Sequence, residues 1–199
     1  MKKLLPCSIL AALALVHTAC TQTNDMGVYT GGYMFKPQTI NKTAREQIKD
    51  GFWDKPRNLE GHHKIVVDTE LQLATYYIGD QMVGRSPVSS GKAGHDTPKG
   101  EFSIIAKDIN HKSSTYGSIV DSHGNVLVSD YTVGQPRPAG GIYKGAEMNF
   151  GMQITRNGIW MHEGIVTMAT ESHGCIRLPR EMAKIFFENT PVGSTIIIK

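Results

Sequence analysis

Cysteine is scarce in this chain: of its 199 residues only Cys7, Cys20 and Cys175 carry a thiol. That excludes a scaffold stapled by several disulfides. There is no Cys-x-x-Cys pair and no His-Glu-x-x-His run, so the usual spacings of a structural or hydrolytic zinc site are missing. No metal and no cofactor is expected. A charge excess of either sign is also lacking, with 21 Lys and Arg against 18 Asp and Glu. Lys2 and Lys3 lie in a stretch expected to be removed, and residues 1–19 hold no acidic residue, which leaves a formal charge of +1 for the rest. Nucleic acid is therefore not an expected partner, because binding it needs a basic patch or stripe. No internal repeat or low-complexity tract is visible. What remains, at 40% hydrophobic and 20% charged, reads as one globular domain with short appendages.

Residues 1–19 read as an export signal. Lys2 and Lys3 open it, and Leu4 to Val16 is mostly apolar. That run is too short to cross a bilayer core, which takes about 20 apolar residues. The ending Thr18-Ala19-Cys20 resembles a bacterial lipobox, although His17 stands where that motif normally has an apolar residue. Cys20 is accordingly expected to carry a lipid and to tether the protein to a membrane. Thr21 follows it, not the aspartate that retains many lipoproteins at the inner membrane. The expected location is the cell envelope, with the domain in the periplasm and the outer membrane favoured. Cys7 leaves with the signal and Cys20 is acylated, so Cys175 becomes the lone free thiol of an exported protein. Such a thiol is either buried and inert or kept for its reactivity.

Residues 20–61 are weakly patterned and read as a tether, with a short helix over Ala44–Lys49 and with Phe35, Phe52 and Trp53 packing on the domain behind it. From Lys64 onward strands dominate. Ile65–Asp68 and Leu71–Ile78 are two of them, turning at Gly79-Asp80 into Met82-Val83. Pro87–Gly91 is extended, and Phe102 with Ile104 begins another strand. Residues 106–150 are too long for a structureless loop and are expected to carry strands of their own or to form a binding wall. Val126–Val128 and Tyr131–Val133 read as two short strands there. Met152–Thr155 and Gly158–Met161 follow, placing His162 at a strand end. Met182, Ile185 and Phe186 recur at helical spacing after Pro179, and Thr195–Ile198 closes the chain as a β-branched strand. The fold class expected is mostly β, a mixed sheet or small barrel with one clear helix.

The chemistry concentrates in Ser172-His173-Gly174-Cys175-Ile176-Arg177-Leu178. A thiolate, not a thiol, is the nucleophile, and a nearby imidazole is the usual route to one at neutral pH. His162 is the candidate general base, delivered to a cleft by the apolar run Ile159-Trp160-Met161. His173 reads as a supporting group that bonds the loop or helps hold a substrate carbonyl. The backbone N–H groups of Gly174 and Cys175 are candidates for an oxyanion hole. Arg177 is either a clamp for a substrate carboxylate or a brace for the loop. His162, His173 and Cys175 as a zinc triad is the weaker alternative, and His62, His63, His95, His111 and His123 read as solvated surface.

Together, His162 and Ser172-His173-Gly174-Cys175-Ile176-Arg177 resemble the signature of the YkuD-type L,D-transpeptidase catalytic domain. Thr97-Pro98-Lys99-Gly100-Glu101-Phe102, Ile65–Asp68 and Pro87–Gly91 resemble other elements of that family, so the likeness spans residues 62–199. It implies a cysteine in a cleft of a β-rich fold and an imidazole oriented by a backbone carbonyl, that of Glu163 or a neighbour. It also implies peptidoglycan stem peptides as substrate: a donor tetrapeptide loses D-alanine to the thiol, and the acyl group passes to an amine. Carbapenems acylate such cysteines. Many members have glycine directly after the histidine, whereas this chain has Glu163 and then Gly164. Two alternatives use the same residues differently: an L,D-carboxypeptidase in which water takes the acyl group, and a cell-wall-binding lipoprotein without activity.

Overall fold

The computed structural model describes residues 51–199. The export signal, Cys20 and the helix read over Ala44–Lys49 lie outside them. Two mixed β-sheets and one helix make up the described chain. The first sheet has β1 (Phe52–Trp53), β2 (His63–Asp68), β3 (Leu73–Ile78), β4 (Gln81–Pro87), β5 (Gly100–Ser103) and β11 (Thr195–Ile198), in the order β1-β4-β3-β2-β11-β5. The second has β6 (Ala106–Val120), β7 (Val126–Thr132), β8 (Ile142–Gln153), β9 (Trp160–Glu163) and β10 (Ile176–Leu178), in the order β10-β9-β8-β6-β7. The helix α1 spans Arg180–Asn189.

Alternation makes the first sheet. Ile65 and Val67 in β2, and Ile196 and Ile198 in β11, point inward while their neighbours are half-exposed. β11 lies parallel to β2, pairing Ile196 with Ile65 and Ile198 with Val67, so the last strand is sealed into the middle of the sheet. Between the sheets sits one core, to which β8 gives Met152, β9 gives Met161, β10 gives Ile176 and Leu178, and α1 gives Met182 and Phe186. The helix starts directly after Pro179, whose fixed φ suits a helix entry. Its last turn has no basic residue of its own. Lys107 of β6 supplies the cation, donating to Phe187 O and, at 2.8 Å, to Thr190 O, where the helix dipole is negative.

Two expectations are refined. The segment read as a tether reaches the first sheet: Phe52 and Trp53 pair with Arg85 and Gly84. Trp53 is buried, edge-on to Tyr76 at 5.0 Å and tilted on Phe186 at 6.0 Å. The stretch 106–150 is neither loop nor scattered short strands. It is three long antiparallel strands, with Val126–Thr132 a single one. β6 and β8 slip register between Lys112 and Gly117, so Ser113–Tyr116 bulges out of the ladder.

Candidate active site

β9 and β10 run side by side in parallel, with Met161 opposite Ile176, His162 opposite Arg177 and Glu163 opposite Leu178. Directly opposed residues share a face, and side chains alternate along each strand. Met161, Ile176 and Leu178 therefore enter the core, where all are fully buried. Trp160, His162 and Arg177 take the other face, and Cys175, one step before β10, continues it. This is how the sequence brings a histidine and a distant cysteine to one surface: each lies one residue from a core-filling neighbour.

That surface is the floor of a cavity of about 560 Å³ lined by Cys175, His162, His173 and Arg177. The Ser113–Tyr116 bulge forms part of the wall, with Glu147 and Met148 beside it. His162 is buried, and its Nδ1 lies 2.6 Å from the backbone oxygen of Glu163. A carbonyl can only accept, so Nδ1 carries the hydrogen and Nε2 keeps a free lone pair. Burial, with the Arg177 and His111 charges adding to it, pulls this imidazole down to about 4. It is thus neutral, a base, at physiological pH. Cys175 is half-buried, with Sγ 3.7 Å from Gly158 O. Desolvation pushes the thiol above its ordinary range, opposed by a backbone hydrogen bond from Trp160 and by the Arg177 charge. At rest both groups are uncharged, a thiol directed at Gly158 O and a neutral imidazole lining the same cavity, not a thiolate–imidazolium pair.

The cysteine loop is tied on both sides. Ser89 exchanges backbone hydrogen bonds with Arg177, at 3.1 and 2.9 Å, and Glu171 N and Ser172 N both donate to Ser90 O. Ser90 is in turn held by the buried Gln72 side chain, which accepts from Ser90 N at 2.8 Å and donates to Ser90 Oγ at 2.7 Å. Inside the loop, Ser172 Oγ donates to Cys175 O and accepts from Gly174 N at 3.1 Å. The Gly174 N–H, one of the two candidate oxyanion donors, is therefore already engaged. Gly174 has φ +104, which L side chains rarely adopt, so glycine suits this turn; a Cβ there would stand 2.8 Å from Ile159 Cδ1, a side-chain end that can move.

The remaining expected residues take definite places. His173 stacks on Tyr116 at 4.2 Å and meets His95 edge-on at 4.9 Å, and among the described residues nothing hydrogen-bonds its ring. Burial first, then the charges of Lys92 and His95, lower its pKa. Arg177 lays its stem against Gly164, and among the described residues its guanidinium forms no ion pair. The Glu163 side chain is held by Arg180, with Nη1 2.9 Å from each carboxylate oxygen. No group of three or more His, Cys, Asp or Glu side chains among the described residues could hold a metal ion. Two histidines read as solvated surface belong to the site region instead. His111 lies flat on Trp160 at 3.8 Å and lines the cavity, and His95 touches His173. Spacing gave no hint of either, because both arrive from segments far from the cysteine loop.

Comparison with known proteins agrees with this geometry. The family model described as the YkuD L,D-transpeptidase catalytic domain matches residues 62–198. The chain is similar to a probable L,D-transpeptidase 3 of Mycobacterium tuberculosis, at 23% identity over 58% of this chain and 39% of that protein. An L,D-transpeptidase structure from Mycobacterium smegmatis is 25% identical, with a TM-score of 0.53 over 69% of this chain and 58% of that one. The structure of LD transpeptidase LdtMt1 in complex with imipenem shares the fold, with 22% identity and a TM-score of 0.52 over 69% of this chain and 59% of that one. The chain thus matches about two fifths to three fifths of these relatives' own length.

Proposed function

The chain belongs to the YkuD L,D-transpeptidase catalytic domain family, and from that premise we propose that it moves acyl groups of peptidoglycan stem peptides through a thioester on Cys175. The observation that carries this is the orientation of His162: with Nδ1–H given to Glu163 O at 2.6 Å, Nε2 is left as a base on the face that His162 shares with Cys175. Nε2 takes the thiol proton as sulfur attacks the acyl carbon, so no standing thiolate is needed. The resulting oxyanion accepts from the Cys175 N–H. Collapse expels the amine of D-alanine, which leaves with the proton from His162. A second amine then attacks the thioester, gives its proton to Nε2, and the sulfur departs to recover the thiol. Arg177, uncommitted and on the cavity floor, pairs with a carboxylate of the stem peptide.

Incubating the full chain with a disaccharide-tetrapeptide and following mass tests this. Expected are loss of D-alanine and a cross-linked dimer or, with added D-amino acid, an exchanged product. Neither is expected from Cys175→Ala. Loss of D-alanine with no acceptor incorporated makes the enzyme a carboxypeptidase. No product and no adduct at Cys175 leaves a cell-wall-binding protein. Imipenem, present in the related enzyme's structure, is expected to acylate Cys175. For location, we propose a lipid on Cys20 and an outer-membrane anchor facing the periplasm; a mature protein whose intact mass lacks acyl chains overturns it.

A further inference from the structure

Thr97 lies outside the cavity wall and behind the cysteine loop, yet it is bonded to it. It is buried, and its Oγ1 makes two hydrogen bonds, to Gly91 N at 2.8 Å and to Gly174 O at 2.9 Å. A hydroxyl has one hydrogen. The Gly91 N–H can only donate, so the oxygen lone pair serves it, and the single O–H is left for the Gly174 carbonyl. The direction of both bonds is thereby fixed. Gly91 admits no side chain here, since a Cβ on it would stand 2.0 Å from His95 O and 2.7 Å from Thr97 N, so the backbone of 91 packs directly on the 95–97 turn.

Gly174 C=O and Cys175 N–H belong to one planar peptide unit and point in opposite directions. A carbonyl aimed back at Thr97 sends the N–H to the opposite side, toward the cavity that Cys175 lines. The carbonyl on the other side of Cys175 is pinned separately, by Ser172 Oγ. With the Gly174 N–H already given to Ser172 Oγ, the Cys175 N–H is the donor of the original pair left for an oxyanion. We propose that Thr97 is the positioning residue of this donor: its hydroxyl fixes the Gly174–Cys175 peptide plane so that the Cys175 N–H meets the oxygen of the acyl group under attack. The inference rests on acyl transfer at Cys175. It places part of that chemistry in a residue that does not line the cavity.

Two reactions of the same sulfur separate this role from a merely structural one. Acylation by imipenem passes through a tetrahedral oxyanion, whereas alkylation by iodoacetamide forms none. The full chain, Thr97→Val and Thr97→Ser are compared by intact mass over time, with melting followed for each. Valine keeps the shape and removes the hydroxyl; serine restores it. The expected result is that Thr97→Val acylates about 10- to 100-fold more slowly, is alkylated at the wild-type rate, and that Thr97→Ser recovers most of the acylation. The proposal is overturned if Thr97→Val acylates like wild type, if both reactions fall together, or if serine fails to rescue a folded protein. Wild-type protein that is alkylated but takes no acyl group from imipenem or from a stem peptide sinks the acyl-transfer reading, and the role of Thr97 with it.

Discussion

His162 and Cys175 are each other's complement in a desolvated place. Burial lowers the imidazole to about 4 and raises the thiol, and both shifts favour the uncharged pair. The rate of alkylation of Cys175 by iodoacetamide is therefore expected to climb with pH through the alkaline range. A plateau reached below neutrality would mean a preformed thiolate and would contradict this geometry. These two residues were legible in the sequence because the cysteine loop is compact and His162 ends an apolar strand. Glu163 was legible only as a backbone position. That its side chain pairs with Arg180 depends on where α1 begins in space. Thr97 was visible as part of a family-like element, but its hydroxyl reaches a carbonyl 77 positions away, a distance no local pattern encodes. His95, His111 and Tyr116 were hidden for the same reason.

Among the elements, those with one buried face announced themselves. β2 and β11 alternate, and the buried residues of α1 recur at helical spacing. β6 was not named and β7 showed only as two short pieces, because both are mostly exposed or half-exposed along their length and bury few side chains to write a pattern. β1 was missed as a strand for a different reason: two residues are too few to show a period. Its weight in the fold is nonetheless testable. Trp53 closes an aromatic cluster with Tyr76 and Phe186, and Trp53→Ala is expected to cost about 3–5 kcal/mol in urea unfolding. A cost near zero would return residues 52–53 to the tether.

The stability of the molecule as a whole is expected to depend on pH through His162. Unfolded, this histidine takes its proton near the ordinary 6.5; folded, only near 4. Stability is thus complete above 6.5 and is lost as pH falls from 6.5 to 4, by ~3 kcal/mol from this residue. His63 and His173, also lowered mainly by burial, add in the same direction. Urea midpoints at pH 7 and pH 4.5 check the sign. A midpoint that stays level, or rises in acid, would show that His162 is not desolvated in the folded protein.

The ties that hold the cysteine loop have a bearing on how the protein matures. Thr97 meets Gly174 across 77 positions, and Ser89 meets Arg177 across a still longer stretch of chain. Contacts so distant along the chain form late, after the local strands and the helix have condensed. A nascent or partly collapsed chain carries the sulfur but not the arrangement proposed to make it an acyl carrier. On dilution from denaturant, the far-ultraviolet strand signal is expected to return before acylation by imipenem does. Acylation by imipenem then serves as a gauge of finished folding, and an unfinished chain is expected to be chemically quiet.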